Sequence, residues 1–219
     1  MTASPPLRAL LVHGIGRTRF SMWRIAHALR RSGMRAELFG YLAAREPFDA
    51  IVQRLAGRIA REPDDEYVVI GHSLGGLLLR AALAQIPAGV PRPRRVIMLG
   101  TPNRSPRLAR RFGGAWWYHL LNGDAGALLA DEDRISRIPP PVDPVTIIAG
   151  TRGINGRWSP FGDDVNDGIV ATDETHLDGA EWIAVATRHP FMMNSPIVRQ
   201  LVRERCDVSD PPVGRHLPK

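Results

Sequence analysis

One stretch limits the architecture of this 219-residue chain more than any other: Val68-Val69-Ile70-Gly71-His72-Ser73-Leu74-Gly75-Gly76-Leu77-Leu78-Leu79. An apolar run rich in β-branched residues ends at Gly71, and a Leu/Ala/Arg run of helix-forming composition begins beyond Ser73. Gly-His-Ser-Leu-Gly joins them, and G-x-S-x-G in that setting predicts a sharp strand-to-helix turn with the serine at its tip. So tight a turn strains the serine backbone, and the residues two positions away must lack bulk for strand and helix to pass. Gly71 and Gly75 meet that need, and Gly76 lets the helix pack closer still. Ser73 is thereby predicted to project from the carboxyl end of a sheet, at a helix start whose N–H groups point outward. A flexible glycine loop is the alternative in a chain with 21 glycines, and the flanking strand and helix decide against it.

Strand and helix signals alternate along the rest of the chain. Residues 7–12 read as a short buried strand ending in His13-Gly14-Ile15-Gly16. A helix is expected over 20–31, with Met22, Trp23, Ile25, Ala26 and Leu29 on one side and Thr18 or Ser21 as cap. Residues 34–41 alternate as a second strand, and Pro47 opens a helix to about residue 60. Residues 67–71 feed the turn, and the helix beyond it runs to about Ile86. Further strands are expected over 95–100, 145–150 and 181–187, with a last helix over 196–206. Short continuous apolar strands separated by helices predict an α/β fold: a doubly wound, mostly parallel sheet of about six strands, covered on both faces. Residues 1–206 read as one domain and 207–219 as a disordered tail. Residues 104–138 lack a strand and read as helical pieces and loop, a small cap inserted above the sheet.

Composition narrows the function classes. The single Cys206 rules out an internal disulfide framework and a multi-cysteine zinc site, and neither a metal nor a cofactor is expected. Net charge is +7, carried by arginine with Lys219 the only lysine, yet no nucleic-acid-binding signature accompanies it, so no nucleic-acid partner is expected. No signal peptide and no apolar run of membrane-spanning length is legible, which points to the cytoplasm.

A serine hydroxyl is a weak nucleophile unless a base stands within hydrogen-bond reach and a third group orients that base. His189 follows the last strand, at the end of the sheet where ligands bind, and is the expected base. His176 is its rival but precedes that strand. His72 is locked in the turn, His13 is placed to brace the loop after the first strand, and His27, His119 and His216 read as helix-surface, loop and tail residues. The segment after the fifth strand offers Asp163, Asp164, Asp167, Asp173 and Glu174. Asp167 leads, because Asn166-Asp167-Gly168-Ile169-Val170 reads as a turn followed by an apolar brace. A calcium loop is the other use for such a cluster, but the 12-residue EF-hand pattern is absent. Two backbone N–H groups must meet the oxyanion formed on acyl transfer. Leu74, after the serine, and Ile15, between Gly14 and Gly16, are the candidates.

His13-Gly14-Ile15-Gly16, Gly71-His72-Ser73-Leu74-Gly75-Gly76, Gly100-Thr101-Pro102, Asn166-Asp167-Gly168-Ile169-Val170 and His189 together resemble the motif series of α/β-hydrolase lipases and serine esterases. The likeness is greatest to small bacterial lipases and to esterases related to GPI inositol-deacylases, and it covers residues 7–206. It implies an α/β-hydrolase fold with Ser73 as nucleophile, Asp167 as acid, His189 as base, and Ile15 and Leu74 as oxyanion donors. It also implies a small-molecule ester or lipid substrate cleaved through an acyl-enzyme. Thioesterase, amidase and acyltransferase chemistry would use the same parts, and a non-catalytic binding protein is the reading from a different class. Many such lipases carry histidine after Gly-Thr-Pro, where this chain has Asn103. His13, Gly14, Asn103, Trp116 and Trp117 are the expected substrate contacts. Arg104, Arg107, Arg110 and Arg111 precede Phe112, Trp116, Trp117 and Tyr118. A cap with its aromatics inward and its arginines in water is favoured there over weak contact with a membrane surface.

Overall fold

The computed structural model describes residues 6–61 and 66–207, with the backbone alone over 116–121. Six strands, β1 (Arg8–Val12), β2 (Arg35–Phe39), β3 (Tyr67–His72), β4 (Arg95–Leu99), β5 (Val145–Gly150) and β6 (Glu181–Val185), form one sheet in the order β2-β1-β3-β4-β5-β6. Every pairing is parallel. The helices of the described residues are α1 (Trp23–Arg31), α2 (Phe48–Ala60), α3 (Leu74–Ala84), α4 (Arg107–Phe112), α5 (Trp116–Ala130), α6 (Glu132–Ser136) and α7 (Pro196–Asp207).

Side chains alternate across a strand, so each strand feeds two cores. Leu10, Val12, Val69, Val96 and Met98 pack with the inward faces of α2 and α3. Ala9, Leu11, Val68, Ile70 and Ile97 pack on the opposite face with residues of α1 and α7. Burial on both sides is why these strands read as unbroken apolar runs. The chain steps from β1 outward to β2, then crosses back to place β3 on the other flank of β1. Winding reverses between β1 and β3, the place where sheets of this kind open a crevice for ligands.

The expected helix over 20–31 is divided into a 3-10 turn, Arg19–Met22, and α1. Ser21 Oγ donates to the Thr18 carbonyl at 2.8 Å, and neither residue caps a helix with its side chain. Met22, Ile25, Ala26 and Leu29 form one inward stripe, and Trp23, about 100° round the helix from Met22, stands 50% exposed. His119 lies within α5 rather than in a loop. Asp207 closes α7, and the rest of the expected tail, 208–219, lies outside the described residues.

Between β4 and β5 the chain builds α4, α5 and α6. A bend at Gly123 (φ 57°) splits α5, where an added Cβ would meet the Ala43 carbonyl at 2.6 Å. Beside the bend, Asp124 accepts the Phe48 N–H at 2.8 Å and so caps α2, which opens on a proline. The other oxygen of Asp124 takes Arg134 at 2.9 Å. The segment is therefore tied to the body of the domain. No helix of the described residues is long and apolar enough to cross a membrane.

Candidate active site

At the end of β3 the backbone of Ser73 takes φ 53° and ψ −125°, the one non-glycine residue at positive φ among those described. Its N–H bonds the Leu99 carbonyl of β4 at 2.9 Å, and its own carbonyl receives Gly76 N–H at 2.9 Å. A Cβ on Gly71 would lie 2.6 Å from Gly76 Cα, and one on Gly75 would lie 2.6 Å from the His13 carbonyl oxygen. Side chains there would pry helix from sheet. The strained angle persists because its surroundings fix it from both sides.

The loop after β1 closes over this turn. A Cβ on Gly14 would come within 3.0 Å of Ser73 Cβ, so glycine is what allows the contact. Ile15 lines the same cleft as Ser73, and Leu74 follows the serine into α3. The N–H groups of Ile15 and Leu74 donate to no other described residue. They are the candidate amides for an oxyanion formed at Ser73.

On the far side of the serine, Asp167 and His189 are held by backbone and side chain together. Asp167 N–H bonds the Val170 carbonyl at 3.0 Å. Asp167 Oδ1 accepts the N–H groups of Ile169 at 3.0 Å and Val170 at 2.8 Å. That leaves Oδ2 for His189 Nδ1, 2.6 Å away. Both side chains are buried, Asp167 to 1% and His189 to 6% exposure. Gly100 (φ 55°) makes room for them: a Cβ there would lie 3.0 Å from His189 Nδ1 and 3.2 Å from Asp167 Oδ2. Asn166 organises the long Gly-rich segment that delivers the aspartate, accepting Gly168 N–H at 2.9 Å and donating to Asn155 at 2.7 Å.

His72 completes the frame. Its Nε2 lies 3.1 Å from the His189 carbonyl, and the two rings are 4.8 Å apart. Burial, and after it the neighbouring His189 ring, hold His72 well below the ordinary 6.5, so it is neutral and Nε2 donates to that carbonyl. The Ser73 hydroxyl itself makes no hydrogen bond to a described residue. In hydrolases generally, hydrogen bonds to a catalytic hydroxyl commonly tighten only with substrate bound.

A cleft of about 360 Å³ opens at Ser73. Pro102, Leu108, Phe112, Leu129, Ile169 and Val170 make most of its wall apolar, and α4 and α5 supply three of them. Sequence reasoning missed Leu108 and Leu129, because nothing local distinguishes a cleft-lining leucine from a core leucine.

Two expected substrate contacts are corrected. His13 is 1% exposed, stacked on Tyr41 with centroids 4.1 Å apart, and bonded through Nδ1 to the Gly14 carbonyl at 2.9 Å. It braces the loop and does not line the cleft. Asn103 is buried too: Oδ1 accepts from Arg80 at 2.9 Å and Nδ2 donates to the Thr175 carbonyl at 2.7 Å. It pins the loop after β4 to α3, and its neighbour Pro102 reaches the cleft instead. The side chains of Trp116 and Trp117 lie outside the described residues. His176 stacks on Trp182 at 4.9 Å and bonds the Thr172 carbonyl through Nδ1. Glu174, one of the acid candidates, accepts N–H groups from Ala171 at 2.9 Å and Arg107 at 2.7 Å, and burial raises its pKa. Arg80, buried within α3, escaped notice in the sequence; desolvation lowers it to about 10. Cys206 is buried and its thiol is pushed up to about 12, so it is no competing nucleophile.

No protein-family model matches the chain, and no curated protein matches it in sequence. Its shape is matched by solved structures. A metagenomic carboxyl esterase superposes with a TM-score of 0.68 at 17% identity, over 92% of this chain and 72% of that one. The RedJ thioesterase from the prodiginine biosynthetic pathway of Streptomyces coelicolor gives 0.58 at 17% identity, over 94% and 89%. A lipase-esterase related protein from Clostridium acetobutylicum gives 0.59 at 14% identity, over 92% and 94%. The likeness establishes the α/β-hydrolase fold.

Proposed function

We propose that the chain is a serine hydrolase that cleaves small-molecule carboxylic esters through an acyl-enzyme on Ser73. The observation that carries this is the buried pair His189 Nδ1–Asp167 Oδ2 at 2.6 Å, with the second carboxylate oxygen already occupied by two backbone N–H groups. That arrangement fixes the tautomer with Nε2 unprotonated, free to act as base.

In the proposed cycle Ser73 Oγ attacks the ester carbonyl while His189 Nε2 takes the hydroxyl proton. Asp167 stabilises the imidazolium without taking its proton. The carbonyl oxygen becomes an oxyanion and receives the N–H groups of Ile15 and Leu74, each contributing about 2.7–4 kcal/mol of barrier lowering. Collapse breaks the ester C–O bond, His189 protonates the leaving alkoxide, and the acyl group stays on Ser73. Water, deprotonated by His189, then attacks the acyl-enzyme and releases the acid with Ser73 restored.

The test is labelling with a fluorophosphonate probe, together with turnover of p-nitrophenyl esters. Wild type should label and turn over, and Ser73→Ala should do neither while remaining folded. A protein that only binds ligands on this fold would fail to label. Likeness to the RedJ thioesterase favours acyl thioesters as a second substrate class, and rates on matched ester and thioester substrates distinguish the two.

A further inference from the structure

We propose that the groove between α1 and α7 is a docking face for the surface of an anionic lipid bilayer. The groove holds about 460 Å³ and is walled by Arg24 and Arg31 from α1 and by Arg199 and Arg203 from α7, with His27 and Trp23 beside them. Residues 1–36 contain seven arginines and no aspartate or glutamate, and Arg24 and Arg31 are the two of them that line the groove. The four groove arginines form no ion pair with a carboxylate among the described residues. Several arginines elsewhere are neutralised, as Arg92 by Asp143, Arg134 by Asp124 and Arg205 by Glu181. Glu204, on α7 itself, is bonded to Gln200 at 2.8 Å. Four unneutralised guanidinium groups along two adjacent helices attract phosphate-bearing anions and offer each a planar fork of donors.

Two further observations select a bilayer over a soluble polyanion. Phe20 and Trp23, at the end of the groove formed by the start of α1, are 63% and 50% exposed. Arg19 stands over the Phe20 ring at 5.1 Å and Arg24 over the Trp23 ring at 5.5 Å. A hydrated polyanion gains little from an exposed phenylalanine, whereas the boundary between headgroups and acyl chains takes up aromatic tips beside cationic groups. Phe20 also continues the loop that carries Ile15 to the Ser73 cleft, and Arg17 of that loop bonds the Pro190 carbonyl at 3.4 Å. The assignment stands independently of the chemistry at Ser73, and its test reads binding alone.

The test is sedimentation of the full chain with vesicles of phosphatidylcholine, with and without an equal part of phosphatidylglycerol, at low and high salt. Wild type should bind the anionic vesicles only, and lose that binding as salt screens the surface. Combined Arg24→Gln, Arg31→Gln, Arg199→Gln and Arg203→Gln should weaken binding several hundredfold, at about fivefold for each arginine near an anionic surface. A charge-matched variant with Arg45, Arg61, Arg137 and Arg157 changed to glutamine should bind far more tightly than that one. Brominated lipid should quench tryptophan emission in wild type and less so in Trp23→Phe. Equal loss in the two charge variants would overturn the assignment, because net charge alone would then explain binding. So would wild type that ignores anionic vesicles but binds tripolyphosphate, since the groove would then serve a soluble anion.

Discussion

Asp167 grips His189 twice: its Oδ2 lies 2.6 Å from the imidazole Nδ1, and its main-chain carbonyl receives the His189 N–H at 2.9 Å. The two residues come from different loops, after β5 and after β6, so the backbone bond sets the distance at which the side chains meet. With Oδ1 held by Ile169 and Val170, the carboxylate cannot rotate away. Asp167→Asn would keep the Oδ1 contacts and turn an amide N–H toward Nδ1, forcing the proton to Nε2. The fold should survive and kcat should fall by about 10⁴, as loss of the correct tautomer does in such triads. His176→Ala, which removes a ring stacked on Trp182, should leave kcat near wild type. Steady-state kinetics on an activated ester decide between the two histidines, and the opposite ranking would move the base to His176.

Strain at Ser73 gives a prediction about stability. A non-glycine residue held at φ 53° costs about 1–3 kcal/mol, and glycine in its place costs about 0.5–1 kcal/mol in unfolded-chain entropy. Ser73→Gly should therefore be more stable than Ser73→Ala by roughly 1 kcal/mol, a gain of about 2–4 °C in Tm for a chain of this size. Both variants should be inactive. Equal melting temperatures would show that the turn carries no strain that glycine can relieve.

The buried histidines make the fold acid-sensitive. His72 titrates near 6.5 when unfolded but is held well below that in the fold, and burial lowers His13 in the same direction. Above pH 6.5 both states are neutral and stability is flat. Below it the unfolded chain takes up protons that the folded chain refuses, so stability falls as pH drops toward the folded pKa. Each histidine contributes a slope of up to about 1.4 kcal/mol per pH unit in that window. His72→Gln retains a donor for the His189 carbonyl but does not titrate. Its denaturant midpoint should fall less steeply than that of wild type between about pH 6.5 and pH 5. Parallel curves would remove His72 as the source.

Much of this architecture could be read from local patterns because the four central strands, β1, β3, β4 and β5, are short and buried on both faces, which writes each as a mostly apolar run. Gly71, Gly75 and Gly76 were equally legible, since their need for close backbone approach is set within six residues of one another. What stayed hidden depends on contacts between distant segments. Nothing near Asn103 shows that Arg80 and the Thr175 carbonyl will consume its amide, and Tyr41 lies 28 residues from the His13 it stacks upon. Trp23 belongs on the outer side even at a fixed helical period, because it lies about 100° from Met22 whereas Ile25, Ala26 and Leu29 return to within about 60° of it.

Acyl-chain preference follows from the cleft wall. Leu108 and Phe112 of α4 line the cleft with Ser73, as do Ile169 and Val170 of the loop that carries Asp167. Each methylene an acyl chain lays against them contributes up to about 0.8 kcal/mol, roughly fourfold in kcat/KM. A cleft of about 360 Å³ accommodates only a short chain, so kcat/KM should rise from acetyl toward butyryl or hexanoyl esters and then level. Leu108→Ala and Phe112→Ala, made separately, should flatten the rise by increasing KM for the longer esters while leaving acetyl turnover little changed. The tryptophans at 116 and 117 can be tested in the same series, as Trp116→Ala and Trp117→Ala. An unchanged chain-length profile in Leu108→Ala and Phe112→Ala would mean that the acyl chain leaves the serine by another route, and that the wall formed by α4 is packing alone.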